Sequence, residues 1–276
     1  MAKSALLKSS LAKKYWMALT GLFLCLFLTG HLLGNLQLLA GSSPEAALKF
    51  NKYALFMTTN PAVKILSYLT YISIIFHAID GIMLAFQNKA ARPVGYAMNK
   101  PQVNSSFASR NMAVLGTVIL VFIVTHMVSF WARMHFDEKM PLQKMTVEVQ
   151  PGMKQDFYLT TDGGYVPVND PTYVVKNRTE IYEANANVKV KEAYKDLHKI
   201  TFDFFREPQY GLAFTILYVI SMIVLAFHLL HGFQSAFQSL GVNNKFTPAI
   251  KLFGTGFAIV VPLLFAIIPL FIHFTK

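Results

Sequence analysis

The chain has 276 residues, of which 54% are hydrophobic and only 14% charged, against roughly a quarter charged in an ordinary soluble domain. That balance excludes a water-soluble globular protein as the first reading and points to a membrane protein. Its single cysteine, Cys25, excludes a disulfide framework and a cysteine-based metal centre, so any metal chemistry must use other ligands.

Five apolar stretches reach the ~20 residues that cross a bilayer: residues 15–39 (span I), 62–86 (span II), 112–131 (span III), 211–237 (span IV) and 250–274 (span V). Lys3, Lys8, Lys13 and Lys14 precede span I as they would a signal peptide. Its apolar run is far longer than an h-region of about 7–15 residues, so it reads as a retained helix. Span I carries His31, with Gly21 ten residues before it in TGLFLCLFLTGH.

The link from I to II, GSSPEAALKFNKYALFMTTNP, predicts a short surface helix starting at Pro44, and Pro61 is placed to start span II. Span II contains FHAIDG, with His77, Asp80 and Gly81. The basic link that follows is punctuated by Pro93 and Pro101 and reads as an ordered loop carrying Arg92, Ser109 and Arg110, with Arg110 opening span III. Span III carries Gly116 and, ten residues later, His126.

Residues 133–209 form a long insertion. Its first half, with MTVEVQPG, FYLTTDGGYVPV and TYVV, predicts a small hairpin turning at Asp162, Gly163 and Gly164. Its second half, ANVKVKEAYKDLHKITFDFF, predicts an amphipathic helix along the membrane surface, with His135 and His198 as surface or interfacial residues. Span IV repeats the phrase of span II as FHLLHG, with His228, His231 and Gly232. Span V contains Pro262 and Pro269 and ends near His273, an expected interfacial residue. The expected domain division is 1–132, 133–209 and 210–276.

The net charge of +11 is uneven: the insertion holds 11 basic and 12 acidic residues, so the surplus lies in the short loops. Lys3, Lys8, Lys13, Lys14, Lys89, Arg92, Lys100, Arg110, Lys245 and Lys251 fall on one side, against Lys49, Lys52, Lys64 and Lys276 on the other. The positive-inside rule then places the N-terminus in the cytoplasm and, with five spans, the C-terminus and the insertion outside. Topology and lipid headgroups account for this basic face, so nucleic acid is not expected as a partner.

Ionisable side chains inside a bilayer are costly enough to suggest function. Counted from the cytoplasmic end at 1.5 Å per residue, His31 and His126 lie roughly 24 Å deep, and His77 and His228 roughly 12–16 Å. Two levels with two imidazoles each are what two haems, each held on both axial sides, require. Such six-coordinate haems leave no open iron position and favour electron transfer. No CxxCH occurs, so they would be non-covalent b haems.

Gly81 and Gly232 follow their histidines by four residues on the same helix face, leaving a notch for a macrocycle or a neighbouring backbone, while Gly21 and Gly116 could make room for the other haem. The match of FHLLHG to FHAIDG selects His228 over His231. Asp80 and His231, at equivalent positions, would relay protons or pair across helices. Arg92, Ser109 and Arg110 either hold haem propionates or simply mark the inner face.

These motifs, TGLFLCLFLTGHLLGN, FHAIDG, the segment from Gly116 to His126 and FHLLHGFQSAFQSLGV, in this order on five spans, resemble the di-haem cytochrome b anchor of succinate:quinone oxidoreductases, the succinate dehydrogenase and fumarate reductase complexes. The resemblance covers all five spans but not the insertion. It implies an all-α, five-helix haem-binding bundle in a bacterial cytoplasmic membrane, docking an iron-sulfur subunit and, beyond it, a flavoprotein. It further implies a proximal haem on His77 and His228, a distal haem on His31 and His126, and a quinone, in this type usually menaquinone. Some fumarate-reducing relatives have an acid after the Phe that is here Phe50, where this chain has Asn51, and another before the span IV histidine, where it has Ala226 and Phe227. Those departures favour succinate oxidation and leave Glu45 as the one carboxylate of the I–II link. The competing expectations are a di-haem b subunit of a hydrogenase or formate dehydrogenase, and a proton-coupled transporter with a broken helix around Pro262 and Pro269.

Overall fold

The computed structural model describes residues 10–92, 94, 100, 103 and 105–275. Lys3, Lys8, Pro93 and Pro101 lie outside the described residues. In chain order the elements are α1 (Ser10–Asn35, continued by a 3-10 turn, Leu36–Ala40), α2 (Pro44–Thr59), α3 (Pro61–Ala90), α4 (Phe107–Arg110) and α5 (Met112–His126). A π-helical turn, Met127–Ala132, continues α5 into α6 (Arg133–Phe136). Then come β1 (Lys144–Gln150), β2 (Met153–Leu159), β3 (Tyr165–Pro167), β4 (Tyr173–Lys176), β5 (Glu180–Glu183) and β6 (Val188–Glu192). α7 (Leu197–Arg206), α8 (Gly211–Ser239) and α9 (Thr247–Phe274) complete the chain.

Five helical stretches, Leu11–Ala40, Pro61–Ala90, Met112–Phe136, Gly211–Ser239 and Thr247–Phe274, are long and apolar enough to cross a membrane. Their outward side chains are those water would reject: Phe86 is 71% exposed and Leu252 77%. Hydroxyls inside them are satisfied within the helix, since Thr70 donates to Leu66 O and Ser221 to Leu217 O, as an apolar solvent demands. Pro44 and Pro61 open their helices as expected, behind Ser43, whose Oγ accepts from Ala46 N, and Asn60, whose Oδ1 accepts from Ala62 N. α9 runs unbroken through Pro262 and Pro269.

The chain divides into two compact units. The first comprises Met1–Asn35, Lys64–Val124 and Ile216–Pro269. Its buried residues include Leu32, Leu115, Met222, Leu229, Phe233, Ala258 and Val261. At Gly254 of α9 the Phe233 ring of α8 lies so close that a Cβ would overlap it.

The second unit comprises Leu36–Val63, Thr125–Thr215 and Leu270–Lys276. The insertion is more than a hairpin: it folds into two three-stranded antiparallel sheets, β1-β2-β3 and β4-β5-β6, so the protein is mostly helical with two small sheets rather than all-α. The expected β2–β3 turn is present, with Gly163 at φ +85° and Asp162 Oδ1 accepting from Gly164 N. The segment expected to be one amphipathic helix is split. Val188, Lys189, Val190 and Lys191 alternate apolar and polar, Val188, Lys189 and Lys191 pair with β5 around a register shift, and of this segment only Leu197–Arg206 is helical. Leu142, Val166, Ile181 and Ala193 form the buried cluster that joins the sheets.

Candidate functional site

In the first unit, the rings of His77 on α3 and His228 on α8 lie together, their centroids 6.2 Å apart and their planes at 66°. Two imidazoles reaching one metal from opposite sides need about 2 Å from nitrogen to metal and roughly 1 Å from nitrogen to ring centre on each side, roughly 6 Å in all. The observed separation fits that requirement. His231 turns along its own helix instead, its Nε2 3.4 Å from Ser235 Oγ.

Each ring rests on a glycine of a neighbouring helix. A Cβ at Gly21 would stand 3.1 Å from His77 Cε1, and one at Gly116 3.6 Å from His228 Cε1. The glycines four residues beyond the histidines each receive a methionine methyl: Met17 Cε lies 3.5 Å from where a Cβ of Gly81 would be, and Met112 Cε 3.4 Å from that of Gly232. The same lock therefore occurs twice, Met17 and Gly21 against His77 and Gly81, Met112 and Gly116 against His228 and Gly232. Met17 and Met112 were missed in the sequence reading, although the repeated spacing of methionine four residues before glycine was there to be seen. Thr20 was missed as well; its Oγ1 lies 3.3 Å from His77 Nδ1.

His31 is half-buried in the first unit. Its ring stacks on Phe27 at 5.4 Å and lies 5.7 Å from Phe265, and Asn35 Nδ2 donates to its carbonyl. His126 belongs to the second unit, where its ring meets Phe130 at 5.3 Å. The π-helical turn begins at the next residue, a distortion often found at functional positions. Arg110 does not open the third spanning helix. It ends the separate turn α4, where Ser106 Oγ accepts from Ser109 N and the Arg110 guanidinium reaches Ser105 O. Arg92 and Arg110 are exposed, Ser109 and Asp80 half-buried.

His198 is buried, not interfacial, because the second unit closes over it. Its ring stacks on Phe202 at 4.2 Å and its Nε2 lies 3.1 Å from Gly41 O. Burial holds this imidazole below its ordinary pKa, and the nearby Arg206 pushes the same way against the opposing pull of Gly41 O and Asp196. Asn51, the residue in place of an acid, is the hub beside it. Its Nδ2 donates to Gln143 Oε1 at 3.1 Å and to Asp196 Oδ1 at 2.9 Å, and its Oδ1 accepts from His198 N at 3.0 Å. His135 stacks on Trp131 at 4.7 Å, and Glu45 is exposed in the first turn of α2.

Among the described residues no group of three or more potential metal ligands converges, so the paired imidazoles are the arrangement on which a metal group would have to rely. No family model matches this chain, and comparison with curated proteins and with solved structures returned no match.

Proposed function

We propose that this chain is the di-haem cytochrome b anchor of a succinate dehydrogenase, carrying electrons between an iron-sulfur subunit and a membrane quinone. The observation that carries the reading is the His77–His228 pair: two imidazoles at metal-bridging separation, on two apolar helices, each seated on a glycine from a third and fourth. Scattered histidines that merely bond helices together would have no reason to share this repeated surround.

His77 and His228 would hold the proximal haem, which, when bound, supplies a one-electron carrier with no free coordination position. Gly21 and Gly116 let the two rings stand close to their neighbouring helices. Met17, Met112 and the apolar side chains of the first unit keep water from the rings, which favours electron passage over side chemistry. The distal haem, on His31 and His126, rests on the residue count: both lie ten residues beyond the glycines that face the proximal pair, about 15 Å at 1.5 Å per residue. Arg92, Ser109 and Arg110 are proposed partners of the proximal propionates. The expected setting is a bacterial cytoplasmic membrane with the N-terminus inside, the insertion 133–209 outside, and menaquinone as the electron partner. The continuous α9 speaks against the broken helix of the transporter alternative.

The test is the haem-to-protein ratio of the purified chain and of variants with His31, His77, His126 and His228 replaced in turn, together with reduction of the haems by succinate through co-purified flavoprotein and iron-sulfur subunits. Two haems, each lost with its own pair, and succinate as donor are expected. A colourless preparation would refute the cytochrome reading. Reduction by hydrogen or formate in place of succinate would reject the choice of complex.

A further inference from the structure

The two halves of the histidine pair differ at two positions beside the rings: Asp80 stands where the other half has His231, and Thr20 where it has Leu115. Thr20 precedes Gly21 on α1, and the residue preceding Gly116 on α5 is Leu115. The Cε1 and Nδ1 atoms of each ring face the respective glycine, so positions 20 and 115 stand in the same relation to His77 and His228.

The Thr20 hydroxyl has a single hydrogen. Its Oγ1 lies 2.7 Å from Trp16 O and 3.3 Å from Met17 O, both acceptors only. Trp16 O is the nearer acceptor, and with the hydrogen donated there Oγ1 accepts from His77 Nδ1 at 3.3 Å. That arrangement corresponds to the Nδ1–H tautomer of His77, with its lone pair on Nε2, the nitrogen that would bind a metal. On the other side, His228 Nδ1 is buried without a hydrogen-bond partner.

We propose that Thr20 is a positioning residue for the proximal haem: it fixes the tautomer and orientation of His77 and strengthens that imidazole as a donor, while His228 has no such support. The inference rests on the reading of His77 and His228 as axial ligands. An acceptor on the far nitrogen raises a ligand's basicity, which favours the oxidised metal. The two axial ligands are thereby unequal, and the proximal potential is held down from one side.

The experiment is a redox titration of the proximal haem, with its low-spin electron paramagnetic resonance signal, in the purified complex and in its Thr20→Val, Thr20→Ser and Leu115→Thr variants. In Thr20→Val the haem is retained and the ratio of reduced to oxidised haem at fixed potential rises severalfold, a tenfold change corresponding to about 59 mV for one electron. Thr20→Ser returns to the parent value, and Leu115→Thr, which gives His228 a hydroxyl acceptor, shifts the ratio the opposite way. Loss of the haem in Thr20→Val but not in Thr20→Ser would equally support the role of the hydroxyl. An unchanged potential and signal in Thr20→Val, or a serine variant that behaves like the valine one, overturns the inference. Failure of the underlying reading looks different: the parent protein carries no haem, or replacing His77 leaves the proximal haem in place.

Discussion

Replacing Asn51 with leucine removes a buried amide that holds three segments of the second unit together. Gln143 Oε1 and His198 N each lose the partner the amide supplied, while Asp196 Oδ1 keeps only the Lys199 N–H. Each buried polar group left unsatisfied costs about 1–3 kcal/mol, and a hydrogen bond to a charged acceptor is worth about 1.5–3, so with incomplete additivity the loss is roughly 3–6 kcal/mol. At a factor of ten per 1.4 kcal/mol, local opening rises at least roughly a hundredfold. Hydrogen exchange on the detergent-purified protein should show this in α2, around Gln143 and in the first turn of α7, leaving α3 and α8 around His77 and His228 unchanged. Asn51→Asp is the sharper variant, since it sets a carboxylate against Asp196. It should destabilise at neutral pH and recover on acidification, because the folded pair binds a proton more tightly than the unfolded chain. Exchange in α7 raised less than about threefold by the leucine variant would refute the claim that Asn51 is the hub, as that corresponds to under 1 kcal/mol.

His198 has a folded pKa below its unfolded value, so the stability it contributes is present above about pH 6.5 and lost as pH falls through the lower folded value. Opening of α7, read as exchange relative to the intrinsic amide rate at each pH, should rise between pH 7 and pH 5, and His198→Gln should flatten that dependence. Gly21→Ala should disturb the His77 site more than Gly116→Ala disturbs His228, because 3.1 Å forces a shift where 3.6 Å is ordinary contact. The visible spectrum of the purified protein checks this, and equal effects would contradict the geometry. Gly254→Ala should cost about 1–3 kcal/mol by driving a methyl into the Phe233 ring, and Phe233→Leu in the same chain should restore part of it, read as thermal stability in detergent.

The five apolar helices were legible because a run of some twenty apolar residues has few other uses, and the observed ends differ from the expected ones by only a few residues. FHAIDG and FHLLHG also revealed which histidines belong together, since two copies of one phrase in two spans of the same direction invite comparison. What faces those rings was not legible. Gly21 and Gly116 meet His77 and His228 only because of how separate helices dock, and the hydrogen bond of Thr20 spans 57 positions of sequence. The insertion misled for a related reason. Val188 to Lys191 alternate with the period of a strand, but the signal is only four residues long beside the helical spacing of Leu197–Arg206, and pairing with β5 completes it. His198 looked like a surface residue because its burial depends on Gly41 and Asn51, both far earlier in the chain.

The two ends of the insertion run side by side. Gln143 N donates to Tyr194 O at 2.8 Å, Asp196 N to Pro141 O at 2.8 Å, and Leu142 bridges Lys195. The sheets between them are held by this paired backbone stem, which Asn51 clasps at its base, and by Arg178, which reaches His135 O. Because the two ends of residues 144–193 are held together by the stem, a short turn in their place should still let it close, at the cost of uncovering Leu142.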